Sequence, residues 1–234
     1  MMLGIGKGDI VLILVSYGYI IALILISGRL EGALGLSGGS SRKFLHAMIG
    51  NLVLVLPFFR WQPAPTLIAA PFILVTFLAS PYIPIPGLRG KLGRLAELTE
   101  EGHNMGLILY SISFTLLVVF FPTRPDVVAA GILPMAYGDS SAALVGRRMG
   151  KRVTLNGKTV EGSVTMFAVT LTSLVVCLAF FSSYQSFTLT QRMIPSVAVA
   201  LICTVVEALS PRGLDNIAVP LLGALTFYLA SGGL

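Results

Sequence analysis

Eight apolar stretches, each close to bilayer thickness when helical, recur along the chain and dominate what it can fold into. They run 9–27, 43–59, 64–81, 104–121, 126–146, 161–181, 193–209 and 215–231. A helix needs about 20 apolar residues, within a range of roughly 17–25, to cross the hydrocarbon core. Hydrophobic residues make up 55% of the chain and charged residues 11%, against about 25% charged in soluble domains. A soluble fold of this size would leave large apolar areas facing water. The sequence therefore predicts an all-α, polytopic membrane bundle of about eight transmembrane helices. Seven is the alternative, because the eighth stretch stops at the last residues. Too little polar sequence remains for a separate soluble domain, so residues 1–234 read as one domain.

The basic residues orient this layout. With the N-terminus outside, inner loops hold Arg29, Arg42, Lys43, Arg89, Lys91, Arg94, Arg147, Arg148, Lys151, Arg152, Lys158 and Arg212. Lys7, Arg60, Arg124 and Arg192 stay outside. That division follows the enrichment of cytoplasmic loops in Lys and Arg. It accounts for the net charge of +6 without a nucleic-acid partner. Two inner loops are long, about 82–103 and 147–160. The first contains RGKLGRLAELTEE, which reads either as a short interfacial helix or as a solvated linker. Trp61, in the tight link between the second and third spans, suits an interfacial anchor. Ser27–Ser41 has no clear cleavage site, so the first stretch reads as a transmembrane helix and not a signal peptide. Cys177 and Cys203 lie within apolar runs and behave as small buried hydrophobes. The oligomeric state is not written in the sequence.

Ionisable groups are expensive inside a bilayer, so their placement points to function. Asp139 lies toward the inner half of the fifth span, and Glu161 opens the sixth. Glu207 closes the seventh, while Asp215 and Asn216 open the eighth. Arg42, Lys43 and His46 begin the second span; His103 and Asn104 begin the fourth. In this topology all of them gather at the cytoplasmic leaflet, and the outer half carries little that is reactive. A transporter is the rival from another class, but transporter ion sites sit near the bilayer midplane. A purely structural protein would have little use for so many carboxylates on one side.

The richest segment is Tyr137 to Gly150. On a helix, Asp139, Ala142, Ala143, Gly146 and Gly150 share one stripe. Small residues on a stripe admit a neighbouring backbone or a ligand; plain helix packing explains the glycines and alanines equally well. Asp139 needs more, because a buried carboxylate requires a cation or a donor, and Mg²⁺ is a natural one. The loop that follows is basic and ends in Lys158-Thr159-Val160-Glu161-Gly162-Ser163. Arg147, Arg148 and Lys158 suit phosphate oxygens. Thr159 or Ser163 stands at the start of the sixth span, where free backbone N–H groups favour anions. Glu161 is a second carboxylate for Mg²⁺, which usually takes one or two carboxylates together with substrate phosphates.

Asp139-x-x-Ala142-x-x-x-Gly146-x-x-x-Gly150, followed by Lys158-Thr159-x-Glu161-Gly162, closely resembles the CTP-binding signature of the dolichol kinase and phytol kinase family. Arg42-Lys43-x-x-His46-x-x-x-Gly50 resembles an early block of the same family. Glu207-x-x-Ser210-Pro211-x-Gly213-x-Asp215-Asn216-x-x-x-Pro220 resembles a late one. The blocks come in the same order, across residues 42–220. The resemblance implies CTP as donor and a membrane isoprenoid alcohol such as dolichol, polyprenol or phytol as acceptor. In that frame Asp139 and Glu161 hold Mg²⁺. Gly146, Arg147, Arg148, Gly150, Lys158, Thr159 and Gly162 form the nucleotide site. His46 and Asp215 are both candidates for the base that takes the alcohol's proton. Arg42, Lys43, Glu207 and Asn216 complete the candidates, although Asp215 and Asn216 could simply cap the eighth span. A CTP-dependent diacylglycerol kinase and a CTP-using lipid cytidylyltransferase are the neighbouring alternatives.

Overall fold

The computed structural model describes residues 4–34, 38–82, 105–211 and 213–233. Among these residues the chain is an all-α membrane bundle, and each of the eight apolar stretches becomes a helical segment. The long loop 82–103, together with His103, Asn104 and Arg212, lies outside the described residues except at Tyr82. The chain divides into two compact units, Met1–Pro122 and Thr123–Leu234.

The first unit holds α1 (Lys7–Leu34), α2 (Gly38–Ile49), α3 (Ala64–Ala79) and α4 (Gly106–Phe120). The second apolar stretch is not one regular helix. From Gly50 to Phe58 it tightens into a 3₁₀ helix, a long run for a geometry that rarely exceeds three or four residues. Asp9, buried in the first turn of α1, accepts backbone N–H groups from Gly6 (3.0 Å), Arg60 (2.8 Å) and Trp61 (3.4 Å). One carboxylate thus fixes the start of α1 to the link before α3. Tyr17 donates to the Leu67 carbonyl at 2.7 Å near the surface, and Tyr19 to that of Met48 at 2.8 Å where it is partly buried. These bonds let two phenols sit among apolar neighbours without leaving a polar group unsatisfied.

The second unit holds α5 (Pro125–Met149), α6 (Val160–Phe181), α7 (Leu189–Leu209) and α8 (Asp215–Ala230). Helix α5 is its axis: 72% of its most apolar window is buried, against 33% for each of α6 and α7. Small residues allow this enclosure. A Cβ added to Gly223 of α8 would stand 2.8 Å from the Ala130 carbonyl and 2.9 Å from Cys203 Sγ. A Cβ on Gly138 would collide with Thr170 Oγ1. Helix α5 is irregular at Pro134–Asp139, where it widens into a π-helical turn. Pro134 has no N–H for the Ala130 carbonyl, so the regular ladder cannot pass through it. Asp139 is the last residue of that wide turn.

Among the described residues, four helices are long and apolar enough to cross a membrane: α1, α5, α6 and α7. Helices α3, α4 and α8 are apolar but have only 16, 15 and 16 residues. At 1.5 Å per residue they reach about 24 Å, short of a hydrocarbon core near 30 Å.

Candidate active site

The segment between α5 and α6 has more structure than its composition implies. Val153 and Thr159 form an antiparallel bridge. The Thr154 N–H donates to the Lys158 carbonyl at 2.7 Å, and the Val160 N–H to that of Arg152 at 3.0 Å. At its tip Asn156 and Gly157 both have positive φ, 58° and 74°, the conformation that Asn-Gly pairs favour in tight hairpins. Asn156 Nδ2 then donates to the Leu209 carbonyl at 3.0 Å, using one of the carbonyls that the last turn of α7 leaves unpaired. The loop is thus pinned to the end of α7, and Lys158 is delivered beside the α7–α8 junction.

There Lys158 Nζ makes a short hydrogen-bonded ion pair with Glu207 and lies 3.5 Å from Asp215 Oδ2. Asp139 acts on the same ammonium through space. Glu207, Asp215 and Asp139 are all buried. Burial works against the Lys158 charge, but Asp139, Glu207 and Asp215 outweigh it and hold the lysine above its ordinary pKa. Three acidic side chains around one ammonium give this end of the second unit an acidic side, an environment that favours further cations. Asp215 is itself oriented: Asn216 donates to its Oδ1 from the backbone N–H (3.0 Å) and from Nδ2 (2.9 Å). Asn216 Nδ2 also reaches the carbonyl of Gly213 at 3.2 Å, a glycine whose φ of +93° turns the chain into α8.

The remaining predicted residues fall into four groups. Glu161 is partly exposed at the start of α6, and its Oε2 accepts the backbone N–H groups of Lys151 (3.1 Å) and Arg152 (3.5 Å). It braces the hairpin. Thr159 caps α6, accepting the Gly162 N–H at 3.1 Å. The stripe of small residues faces this cap: a Cβ on Gly146 would lie 2.9 Å from Thr159 Oγ1, and one on Gly150 2.6 Å from Thr159 Cγ2. A Cβ on Gly162 would meet the Ala142 carbonyl at 3.1 Å. These glycines let the end of α5 and the start of α6 touch. Arg147 and Arg148 are exposed on the last turn of α5, with Arg147 Nε donating to the Ala143 carbonyl at 3.2 Å. His46, Arg42 and Lys43 belong to the first unit. His46 is buried and stacked on Tyr110, ring centroids 4.6 Å apart, while Arg42 and Lys43 are half-buried on α2.

No three His, Cys, Asp or Glu side chains converge to hold a metal ion by themselves among the described residues. The acidic surroundings of Lys158 nevertheless fit a divalent cation that takes most of its ligands from phosphates and water.

An ion-pair cluster that the sequence does not advertise lies elsewhere in the second unit. Asp126, in the first turn of α5 and 1% exposed, pairs with Arg124 at 3.0 Å and with Arg192 of α7 at 3.4 Å. Arg124 also reaches Ser231 Oγ at 3.2 Å, and Arg192 its carbonyl at 3.2 Å. The cluster joins the start of α5, the first turn of α7 and the end of α8. Removing one partner from a buried pair typically costs about 3–5 kcal/mol, so Asp126→Ala is expected to lower the thermal unfolding temperature in detergent markedly. Any loss of activity should follow only as far as folded protein is lost. The available signal was an acidic residue in the first turn of a helix between two arginine-bearing segments.

The phytol kinase of Synechocystis sp. is 34% identical over 215 residues, which cover 89% of this chain and 87% of that protein. This chain belongs to the phytol kinase and dolichol kinase family. Within the family, the dolichol kinase of Saccharomyces cerevisiae is 28% identical over 196 residues, 79% of this chain but only 36% of the yeast protein. Phytol kinase 1, chloroplastic, of Arabidopsis thaliana is 29% identical over 205 residues, 82% of this chain and 66% of the plant protein. No protein-family model matches the chain, and no solved structure matches it. Both kinds of kinase are therefore similar to a chain whose second unit gathers buried carboxylates around one lysine.

Proposed function

We propose that the protein is a membrane lipid-alcohol kinase that transfers the γ-phosphoryl group of CTP to an isoprenoid alcohol at the cytoplasmic leaflet. The observation that carries this is Lys158, held by Glu207 and Asp215 within the field of Asp139, in a chain similar to phytol and dolichol kinases.

Phosphoryl transfer asks a protein chiefly for positioning and charge neutralisation. Lys158 meets both needs: its charge is stabilised by its neighbours, and its loop is fixed at both ends. Arg147 and Arg148 lie exposed one loop away, able to meet outlying phosphate oxygens. Asp139, with Glu207 beside Lys158, forms the acidic side that would hold Mg²⁺. The ion, when bound, supplies charge neutralisation across the triphosphate. Glu161 holds the Lys151–Arg152 backbone and so the loop. Asp215 stands with Lys158 and is oriented by Asn216, which makes it the preferred proton acceptor over His46. The alcohol oxygen attacks the γ-phosphorus, the bond to the CDP oxygen breaks, and the alcohol's proton leaves toward Asp215. The products are an isoprenoid monophosphate and CDP.

The test is direct. Purified protein is incubated with Mg²⁺, a panel of isoprenoid alcohols and diacylglycerol, and each labelled nucleoside triphosphate. CTP with an isoprenoid alcohol is expected to give CDP and the alkyl monophosphate. Release of pyrophosphate would make the protein a cytidylyltransferase, and phosphorylation of diacylglycerol alone would reassign the acceptor.

A further inference from the structure

Away from Lys158, the second unit contains a recess of about 590 Å³, open on one side, between the start of α5 and the link from α6 to α7. That volume falls within the roughly 300–1,000 Å³ of small-molecule sites. Its lining residues all lie between Thr123 and Arg192, inside one compact unit. Arg124 and Arg192 both line it, and among the described residues Asp126 is the one carboxylate that does. Arginine keeps its proton in proteins, so the recess holds a surplus of positive charge whichever state Asp126 adopts. Both guanidinium groups are held in place. Arg124 forks onto Asp126 through Nε (3.0 Å) and Nη2 (3.1 Å), and lies 5.8 Å from the centre of the Tyr228 ring. Arg192 lies 4.8 Å from the ring centre of Phe187 and 5.8 Å from that of Phe227. Arg124 nevertheless keeps 30% of its side chain exposed, so its charge is open to a ligand. A charge fixed before its ligand arrives loses little freedom on binding.

The recess and Lys158 stand at opposite ends of the same three helices. Arg192 and Glu207 are separated along α7 by about 22 Å, and Asp126 and Asp139 along α5 by about 20 Å, at 1.5 Å per residue. Helix α8 begins at Asp215, beside Lys158, and ends next to Ser231, which bonds both arginines. Since α5 and α7 are long enough to cross a membrane, the two clusters face opposite leaflets. An apolar track leads away from the recess. Tyr184 lines it, 56% exposed, and its ring packs 5.2 Å from that of Phe180. Val176, Phe180 and Tyr184 follow one another four residues apart, all of them exposed, so they form one stripe along α6. Tyrosine at such a junction is typical of the boundary between headgroups and hydrocarbon. A free anion would leave the stripe unused, whereas a lipid lays an acyl chain along it.

We propose that this recess binds the headgroup of an anionic phospholipid, in the leaflet opposite the Lys158 cluster. The phosphodiester's negative charge meets the surplus charge of Arg124 and Arg192, and an acyl chain follows the α6 stripe. Nothing in this depends on which reaction the protein catalyses. The test titrates purified full-length protein in a neutral detergent with phosphatidylglycerol, phosphatidylcholine or inorganic phosphate, and follows the unfolding temperature. Arg124 and Arg192 also hold Asp126, so replacing them would confuse binding with folding. Ser186→Asp instead puts a negative charge on the wall of the recess and leaves those ion pairs intact. Gln185→Glu repeats the test from a second position on the wall.

Phosphatidylglycerol is expected to raise the unfolding temperature of the wild type saturably. Either variant should need about tenfold more of it, the scale of two like charges a few ångström apart near a protein surface. Without lipid, neither variant should unfold earlier than wild type, because the added carboxylate joins a basic recess. Lys151→Gln/Arg152→Gln removes exposed cations at the other end of the unit and should respond to the lipid as wild type does. A wild-type response in both wall variants would overturn the site, as would a response lost only in the loop variant. Stabilisation by inorganic phosphate equal to that by the lipid would also overturn it, since the ligand would then be a free anion. Equal stabilisation by phosphatidylcholine would do the same, because net charge would not select the lipid.

Discussion

Lys158→Met is expected to lower kcat about a thousandfold with CTP and an isoprenoid alcohol, the scale on which a cation is worth to phosphoryl transfer. The same change removes the ammonium that Glu207 and Asp215 share. Leaving buried carboxylates without it should also destabilise the fold by about 3–5 kcal/mol. Loss of activity alone would therefore be ambiguous. The double variant Lys158→Met/Glu207→Gln resolves it, because it removes one of the carboxylates together with the lysine. If Lys158 only balances charge, the double variant regains both the unfolding temperature and turnover. If Lys158 also grips phosphate, stability returns and turnover does not, and this second pattern is the expected one. Measuring both in the same detergent gives the coupling between the two residues. Lys158→Arg should recover part of the activity, since the charge survives but the compact ammonium becomes a planar fork.

The helices were legible in the sequence because a bilayer imposes a length on any apolar segment that crosses it. Predicted span 161–181 meets α6 at Val160–Phe181, and 215–231 meets α8 at Asp215–Ala230. Helix α1 runs on to Leu34 where the apolar stretch ends at 27, and α7 begins at Leu189 and not at 193. Thr188 and Gln191 form a capping box there, so polar residues that look like loop are drawn into the helix. The two departures from regular geometry were not visible. Pro134 signals a break but does not say that a π turn will absorb it, and nothing in Gly50–Phe58 announces a 3₁₀ run. Both depend on what packs alongside.

The site was legible as a set of names and less so as a grouping. Asp139, Lys158, Glu207, Asp215 and Asn216 all stand out as polar groups at the edges of apolar runs. The Lys158–Glu207 pair spans 49 residues, however, and a linear pattern cannot choose among such partners. Spacing ties Asp139 to Glu161, whereas Glu161 bonds the backbone of a hairpin that its composition disguises as a basic linker. Gly146 and Gly150 pack on Thr159. This realises the helix-packing side of their ambiguity, whatever nucleotide contacts the same loop makes.

Asp139→Asn should separate function from stability in the opposite sense to the lysine variant. Asp139 is buried at the end of the π turn, and it adds a third acidic side chain to the cluster around Lys158. Asparagine keeps the size of the side chain and removes the charge, which relieves like-charge repulsion on Glu207 and Asp215. The unfolding temperature is expected to stay level or rise by a few degrees. Turnover is expected to fall about a thousandfold, because the carboxylate proposed to hold Mg²⁺ against the triphosphate is gone. The little activity left should require more Mg²⁺ to saturate. Such a trade, stability held or gained while activity is lost, marks a group retained for chemistry and not for the fold. A variant that unfolds earlier yet works within about tenfold of wild type would reduce Asp139 to a packing residue. The acidic cluster would then have to act without the only member carried on the π turn.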